Sequence, residues 1–506
     1  MAIHAKLAYF WTKFHLMTPL LTATVVGTYI LLLLIIARLT SKKNDNQTFF
    51  TANRSSPWFL VAFGMIGTSI SGVTFISIPG QVDSIAFSYF QIVIGYFFGY
   101  LTIAMVLLPL YYKLHLTSIY TYLDTRFGIN TYKTGAFFFL LSRTLGSALR
   151  LLLAVNVFYV IIFKALGVPF EVAVIISMLF ILLYSIRGGV KTIIWTDTLQ
   201  TLFLIASLVL TIIFLNKYLS LNVIDSIKFI AESKYSKIFF WDYHDNNFFM
   251  KQFFSGMFIT IAMTGLDQDM MQKNLTCRSL KDAQKNMMVF SIILMFVNLL
   301  FLALGALMFV FAKNKGLALP EVSDDLLPII ARDYLPIAFK FIFLIGLTAA
   351  TFASTDSALT ALTTSFCVDF LNFHKKGSDH KVSTRYMVHI GFAILIILIV
   401  MVFHLFSKDK SIIKTLFDAA GYTYGPLLGL YAFGLFTKRK IVDKYVPYIC
   451  ISIPIIMYYL VQYISRNVTS YKIGFEKIII IGLIVFLAIL TTSKAYEGEK
   501  KSKTAS

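Results

Sequence analysis

The hydrophobic pattern of the chain predicts a bundle of membrane-spanning helices. Apolar stretches recur about thirteen times, and roughly 20 apolar residues in a helix suffice to cross the hydrocarbon core of a bilayer. The predicted spans cover residues 18–38, 56–82, 86–112, 131–164, 169–186, 192–216, 249–272, 284–313, 334–370, 386–407, 411–436, 445–465 and 474–493. The predicted fold class is therefore an all-α polytopic membrane protein.

Two of the predicted spans are interrupted near their middle by small and polar residues. The second span contains the run Gly64 to Gly72, which is rich in glycine and hydroxyl side chains, and the seventh contains the run Thr264 to Asp269. In transporters, helices broken at this depth bind ions and substrates with their freed backbone groups. Close packing of helices through small residues is the alternative explanation. The pattern favours two broken helices that line a binding site.

The order of the spans predicts an internal repeat. Each interrupted span begins a group of five, and an odd number of spans per repeat inverts the second copy relative to the membrane. We therefore predict inverted repeats at residues 56–216 and 249–436, preceded by an extra helix at 18–38. Two C-terminal helices at 445–493 and a basic cytoplasmic tail at 494–506 follow the repeats.

Composition and charge indicate a membrane protein with a defined orientation. Hydrophobic residues make up 58% of the chain and charged residues only 14%, which excludes a soluble globular protein. Lys and Arg number 45 against 25 Asp and Glu, but most of this excess follows alternate spans, so that it indicates topology rather than nucleic-acid binding. These basic residues include Arg54, Lys113, Arg187, Lys273, Arg385 and Lys438. The predicted N-terminus is outside and the predicted C-terminus is cytoplasmic.

The ninth span carries a carboxylate near its middle, in the run Ala353-Ser354-Thr355-Asp356-Ser357. A charge at this depth is costly unless a cation, a proton or a partner side chain compensates it, and hard oxygens are the ligands that replace the water shell of an alkali cation. Helical spacing turns Ser354 and Asp356 in different directions. The run therefore predicts two neighbouring cation positions, with pairing of the carboxylate to an arginine as the alternative.

Three further charges lie inside predicted spans. Arg143 and Arg150 are seven residues apart in the fourth span and share one helical face, and Asp197 lies in the sixth span. The arginine fork suits a carboxylate, so one arginine is a candidate for binding an anionic substrate and the other for neutralising a buried acid. The alternative is that both pair with Asp197, Asp356 or exposed carbonyls.

Several segments, in this order along the predicted spans, carry a resemblance to a known family: residues 49–54, 116–123, 188–197, 354–359 and 422–426. They resemble the sodium:solute symporter family, which has a LeuT-type fold of two inverted repeats, and in particular its sialic acid and organic anion branch. The resemblance covers about residues 20–440. It implies sodium-driven solute uptake by alternating access, with sodium as the co-transported ion.

The resemblance implies a first sodium site between the broken second span and the ninth span. Its implied ligands are the carbonyls of Gly67, Ile70 and Ala350 and the hydroxyl of Ser354. The family usually has another hydroxyl one residue before this serine, where the present chain has Ala353. The first site is then one ligand short, unless a shift of one residue brings in Thr355.

Some members of the family also bind a second sodium ion, through an acid on the sixth span and hydroxyls on the ninth. The residues of this chain that match those positions are Asp197, Asp356 and Ser357. The resemblance thus implies a possible second site that contains two carboxylates.

The resemblance also implies where a solute binds. Ser71, Thr74 and Arg150 match substrate-contacting positions of the sialic acid symporters, in which the arginine holds a carboxylate. In the sugar symporters, the positions that match Thr260 and Met263 carry amide and gating aromatic residues, so these two substrate-site residues do not support a sugar-type pocket. An organic anion is favoured.

The predicted function is that of a sodium-coupled symporter that imports a small organic solute. A sodium/sugar or sodium/amino-acid symporter of the same fold is the alternative, and a membrane sensor built on a transporter fold is a candidate from another class. Enzymatic activity is not expected, because the sequence lacks a metal motif such as His-Glu-x-x-His and its three cysteines have no metal-ligand spacing.

The expected partners are the solute and the lipid bilayer. Neither nucleic acid nor an obligate protein partner is expected, and the predicted location is the bacterial inner membrane.

Overall fold

The computed structural model describes residues 19–41, 45–159, 163–373, 381–406, 412–467 and 473–493. Within these ranges the chain forms helices and their connections, and an isolated bridge pairs Ser56 with Cys277. The predicted all-α class is therefore confirmed for the described residues. The predicted basic tail at 494–506 lies outside them.

The α-helices of the described residues are numbered α1 to α19 in chain order. Their bounds are α1 Pro19–Thr40, α2 Asn46–Thr51, α3 Trp58–Ser69, α4 Gly72–Ile85, α5 Tyr89–Thr102, α6 Leu108–Lys113, α7 Thr121–Arg126, α8 Ile129–Phe158, α9 Phe170–Tyr218, α10 Val223–Glu232, α11 Phe249–Thr260, α12 Gln268–Asn274, α13 Leu280–Lys315, α14 Leu326–Asp333, α15 Ile337–Ser365, α16 Val382–Phe406, α17 Ile412–Phe436, α18 Val446–Asn467 and α19 Lys477–Thr492. Segments of π-helix at Ile103–Leu107, Ile261–Gly265 and Phe366–Phe370 continue α5, α11 and α15.

Eight helical stretches in the described part of the chain are long and apolar enough to cross a membrane, and α3 and α19 are shorter apolar helices. Two of the eight join spans that the sequence predicts separately. Thr74–Lys113 combines the end of the second predicted span with the third, and Phe170–Tyr218 combines the fifth with the sixth. Both connections remain helical and bend at a residue with positive φ. Ala86 begins a 3₁₀ turn that leads into α5, and Gly189 lies inside α9.

Both predicted helix breaks are confirmed. The first falls between α3 and α4, where Ile70 has φ −88° and ψ 87° and its N–H donates the last helical bond, to the carbonyl of Ile66. The carbonyls that follow at the end of α3 have no continuing helix to bond to. The second break falls between Gly265 and α12, where Asp267 has extended backbone and caps α12.

Helix α15 lies at the centre of the described structure. Every residue from Gly346 to Ser365 is buried, and the helix packs against α9, α8, α16 and both halves of the first broken helix. The first broken helix comes close because a glycine faces α15: a Cβ on Gly72 would lie 2.7 Å from Oγ1 of Thr351. The carboxylate of Asp356 is thereby enclosed by protein rather than by lipid.

Two basic residues that the topology prediction assigns to cytoplasmic loops are buried instead. Lys273 lies on α12 with 1% of its surface exposed, and Arg385 lies on α16 with 0% exposed. The Arg385 guanidinium stacks 4.3 Å from the ring centre of Phe49 and donates to the carbonyl of Asp45. Hydropathy does not separate such residues from loop charges, since both occur at the end of an apolar run.

The bend at Gly189 yields a first testable prediction. Its φ of 54° and ψ of −147° are accessible essentially to glycine alone, and a Cβ there would lie 2.5 Å from both the ring and the carbonyl oxygen of Phe49. We expect Gly189→Ala to destabilise the protein by about 1–3 kcal/mol or more, measured as a lower melting temperature in detergent. The matched control is Gly391→Ala on α16, where the new Cβ meets nothing within 4 Å. Equal melting temperatures for the two variants would contradict the prediction.

Candidate functional site

A cavity of about 110 Å³ lies beside the two helix breaks. The five residues predicted to contact a solute all line it: Ser71, Thr74, Arg150, Thr260 and Met263. They come from three separate parts of the chain, namely the first broken helix, α8 and the π-helical end of α11. The structure therefore brings together the residues that the resemblance implies, although their role as solute ligands stays a prediction.

Three tyrosines on one side of the cavity were missed by the sequence analysis. Tyr89, Tyr96 and Tyr100 all lie on α5 and line the cavity, and the hydroxyls of Tyr89 and Tyr96 are 3.2 Å apart. Their spacing of seven and four residues places them on one face of a helix. This spacing is the signal that could have revealed them, since it aligns three hydroxyls along a span that is otherwise apolar.

The two arginines of α8 have different environments. Arg143 is buried and its Nη2 donates to the carboxylate of Asp269, while its Nη1 lies 3.8 Å from Asp267. Both arginines line the cavity, but Arg150 has two buried nitrogens, Nε and Nη1, without a hydrogen-bond partner among the described residues, whereas Arg143 has only its Nε. The prediction of one structural arginine is thus supported for Arg143, whose partner is Asp269 and not Asp197 or Asp356.

The acids at the second break form a buried network that the sequence analysis did not assign to the site. Asp267 accepts the N–H groups of Asp269 and Met270 at the start of α12, and its other oxygen accepts the hydroxyl of Tyr424. Asp269 accepts the hydroxyl of Ser357 in addition to its arginine. An Asp-x-Asp sequence after a glycine in a broken span is the signal for this network, because the first acid caps the new helix.

The residues of the predicted first sodium site lie where the first broken helix meets α15. The carbonyls of Gly67 and Ile70 belong to the end of α3 and the break, and Ala350 and Ser354 are fully buried on α15. The Ser354 hydroxyl donates to the carbonyl of Thr351 at 2.9 Å. This leaves its oxygen lone pairs as acceptors for a cation.

The two residues beside Ser354 differ in whether they carry a hydroxyl group that could bind sodium. Ala353 is fully buried and has none, and the Thr355 hydroxyl donates to the same Thr351 carbonyl at 3.1 Å. Ala353 thus adds no side-chain ligand, while Thr355 keeps oxygen lone pairs as Ser354 does, and the shift of one residue stays an alternative prediction.

The residues of the predicted second sodium site each have another partner. Asp197 forms an ion pair with Lys273, with 2.5 Å between Oδ2 and Nζ, and also accepts the hydroxyl of Thr68 at 3.0 Å. Asp356 accepts the hydroxyl of Tyr184 at 2.7 Å. Ser357 donates to the carboxylate of Asp269, as described above. The backbone N–H of Ser357 donates to Asp356, but its hydroxyl binds Asp269.

The sequence profile of the sodium:solute symporter family matches residues 49–442. The chain belongs to the sodium:solute symporter family. Among its relatives, the sodium/sialic acid symporter SiaT of Proteus mirabilis (strain HI4320) is 22% identical over 441 residues, which cover 85% of this chain and 87% of that protein. The sodium/sialic acid symporter NanT of Aliivibrio fischeri (strain ATCC 700601 / ES114) is 22% identical over 472 residues, or 89% and 88% of the two chains.

The fold is shared with a solved member of the same group. The substrate-bound, outward-open structure of a Na⁺-coupled sialic acid symporter superposes with a TM-score of 0.79 at 21% identity, and the match covers 93% of this chain and 97% of that one. Membership of this family makes the protein a sodium-coupled solute symporter, as the resemblance implies, and the structural match shows the shared fold.

Arg143 provides a prediction about stability. Removing one partner of a buried ion pair leaves the other charge uncompensated and typically costs about 3–5 kcal/mol, so we expect Arg143→Met to lower the melting temperature strongly. The double variant Arg143→Met with Asp269→Asn removes both charges and should recover much of the loss.

The control for this comparison is Arg332→Met, which breaks an exposed pair with Asp333 and should change stability by no more than about 1 kcal/mol. If Arg143→Met melts at the temperature of the wild type, the Asp269 pair is not structural.

Proposed function

We propose that this symporter carries a small organic anion, bound through its carboxylate, into the cell. The observation that carries the proposal is the guanidinium of Arg150, which lines the cavity with two buried nitrogens unpaired among the described residues. Burying guanidinium nitrogens without a hydrogen-bond partner is unfavourable, and a solute carboxylate would relieve this cost through a bidentate contact. The nearby acid Asp269 is not the partner of Arg150, because it pairs with Arg143.

The hydroxyl groups around the cavity support a solute that also carries polar groups. Ser71 and Thr74 face the break, and Tyr89 and Tyr96 lie on α5. Each of these hydroxyls can both donate and accept a hydrogen bond. Since the relatives SiaT and NanT are sodium/sialic acid symporters, acidic sugars are the first solutes to test. Simple monocarboxylates and amino acids are the comparison set.

The small volume of the cavity supports alternating access. Pockets for drug-sized ligands have about 300–1,000 Å³, whereas this cavity has about 110 Å³. A solute of several heavy atoms therefore requires the broken helices and α5 to move apart when it enters. Rocking of one repeat against the other around a fixed site is the movement that such folds use.

We propose that the first sodium site lies at the junction of α3, α4 and α15. Its ligands are the carbonyls of Gly67, Ile70 and Ala350 and the hydroxyl of Ser354. The break supplies backbone oxygens that no helix uses, and α15, which packs against both halves of the broken helix, supplies the oxygen of the buried Ser354. Hard oxygens of this kind replace the water shell of an alkali cation. A second site at Asp197, Asp356 and Ser357 stays a prediction, and the other partners of these residues weigh against it.

We further propose thirteen spans, with inverted repeats at 56–216 and 249–436. One extra helix at 18–38 precedes them and two at 445–493 follow. The equivalent breaks at the start of each proposed repeat support this organisation, because inverted repeats place broken helices in corresponding positions. The alternation of basic segments supports an outside N-terminus and a cytoplasmic C-terminus in a bacterial inner membrane.

The role of Arg150 is tested in proteoliposomes with an inward sodium gradient and radiolabelled sialic acid as the probe. Hydrogen bonds to charged groups contribute about 1.5–3 kcal/mol, so we expect Arg150→Ala to weaken apparent affinity at least about tenfold. The apparent affinity of Arg150→Lys should lie between those of Arg150→Ala and the wild type, because lysine keeps the positive charge and loses the forked guanidinium geometry. The melting temperature should change little.

The matched control for the arginine test is Arg332→Ala, at an exposed position outside the cavity. Unlabelled carboxylates, neutral sugars and amino acids are then tested as competitors of wild-type uptake. Competition by neutral sugars alone, or unchanged uptake by Arg150→Ala, would overturn the anion proposal. Solute that equilibrates without accumulation under a sodium gradient would overturn coupled transport.

The first sodium site yields a paired prediction. Ser354→Ala removes a ligand, and we expect the sodium concentration for half-maximal uptake to rise about tenfold, since one hydrogen-bond or ligand interaction of a cation contributes about 1.5 kcal/mol. Ala353→Ser adds the hydroxyl that relatives have and should lower this concentration. Thr355→Val tests the alternative register, because the Thr355 hydroxyl donates to the same Thr351 carbonyl as that of Ser354. A larger effect of Thr355→Val than of Ser354→Ala would mean that the register is shifted by one residue.

A further inference from the structure

The side chain of Lys273 occupies an unusual position between the two broken helices. It extends from α12, which follows the second break, and its ammonium donates to the hydroxyl of Thr68 near the end of α3, just before the first break. The same ammonium forms the 2.5 Å ion pair with Asp197 of α9. The side chains of Lys273 and Asp197 are exposed by only 1% and 0%. A positive charge is therefore fixed at the point where three transport-critical segments meet.

The surroundings of this ammonium are those of a cation site. They include a carboxylate oxygen, a threonine hydroxyl and the C-terminal end of a half-helix, where the helix dipole favours positive charge. Unwound segments and half-helix C-termini coordinate sodium in transporters with broken helices. A lysine ammonium is a compact point charge with three donors, so it can satisfy the same oxygens that would otherwise surround a monovalent ion.

We propose that Lys273 is a built-in cation that holds the Asp197 position in place of a transported sodium ion. The proposal rests on the proposed sodium-coupled function and defines its ion requirement: Asp197 binds no sodium in the wild-type protein. Two positive charges a few ångström apart in a buried site repel strongly. The tethered ammonium thus excludes a second ion that would share Asp197. Because the ammonium cannot leave the protein, it adds nothing to the charge that moves with the solute.

The partners of the neighbouring residues agree with this assignment. The hydroxyl of Ser357 donates to Asp269. The Asp356 carboxylate accepts the hydroxyl of Tyr184 and the backbone N–H of Ser357. Oδ1 of Asp197 keeps no hydrogen-bond partner among the described residues. Removal of the ammonium would therefore leave a buried carboxylate with both oxygens able to bind an ion.

The test is equilibrium binding of ²²Na⁺ to the purified protein in nanodiscs without solute, with choline keeping the ionic strength constant. We expect Lys273→Met to bind one sodium ion more per chain than the wild type. The double variant Lys273→Met with Asp197→Asn should lose this gain and return to the wild-type number. Lys273→Arg, which keeps the charge, and Lys251→Met, which removes a lysine from the ion pair with Glu476, should both bind the wild-type number.

A second readout covers loss of stability in Lys273→Met. If that variant is unstable without sodium, its melting temperature should rise with sodium by more than that of the wild type, and not with choline. A melting temperature that rises on acidification but not with sodium would mean that a proton neutralises Asp197, and would overturn the proposal. So would Lys273→Met binding the wild-type number of ions.

The double variant also decides the question independently of the single one, because it has neither charge. If it binds one ion fewer than the wild type, then Asp197 binds sodium in the wild type and the proposal is wrong. Failure of sodium coupling has a different signature, namely a wild type that binds no sodium at all. The difference between Lys273→Met and the wild type still measures the masking of Asp197 in that case.

Discussion

The described structure depends on how a short helix is held next to a helix break inside the membrane region. Helix α12 has seven residues, and a helix of that length does not persist without tertiary contacts. Its contacts include two buried ion pairs, Asp269 with Arg143 on α8 and Lys273 with Asp197 on α9, beside the core packing of Met270 and Met271. In a poorly polarisable interior these interactions are strong and their loss is costly. The opposite charges on α8 and α9 therefore help to hold α12 in place after the second break.

This constraint also separates the two arginines of α8. They are seven residues apart, which is about two helical turns or 10 Å along the axis. Arg143 contacts the acids at the start of α12 and therefore stabilises the fold. Arg150 lies further along the same face, and the lining of the cavity that it shares with Arg143 contains hydroxyl groups and no carboxylate. One face of α8 thus carries an arginine that pairs within the protein, Arg143, and the arginine that we propose binds the solute, Arg150.

Patterns within single helices were predictable from the sequence, and partners between helices were not. The two breaks followed from runs of small and polar residues, and helical spacing correctly turned Ser354 and Asp356 toward different neighbours. The partner of Ser357 depends on where α12 packs, which no periodicity records. Lys273 was assigned to a loop, because a lysine after an apolar run has the same sequence signature whether it faces water or a buried acid.

The buried charges at the two breaks give a physical reason for coupling between sodium and an anionic solute. At this level the described structure has four acids, Asp197, Asp267, Asp269 and Asp356, against three bases, Arg143, Arg150 and Lys273. A carboxylate that binds at Arg150 adds a further negative charge to this buried region. A sodium ion at the proposed first site would offset that charge, so that each ligand would favour binding of the other, and such coupling is reciprocal. Under the proposed role of Lys273, its fixed ammonium neutralises Asp197 and leaves the mobile ion to respond to the solute.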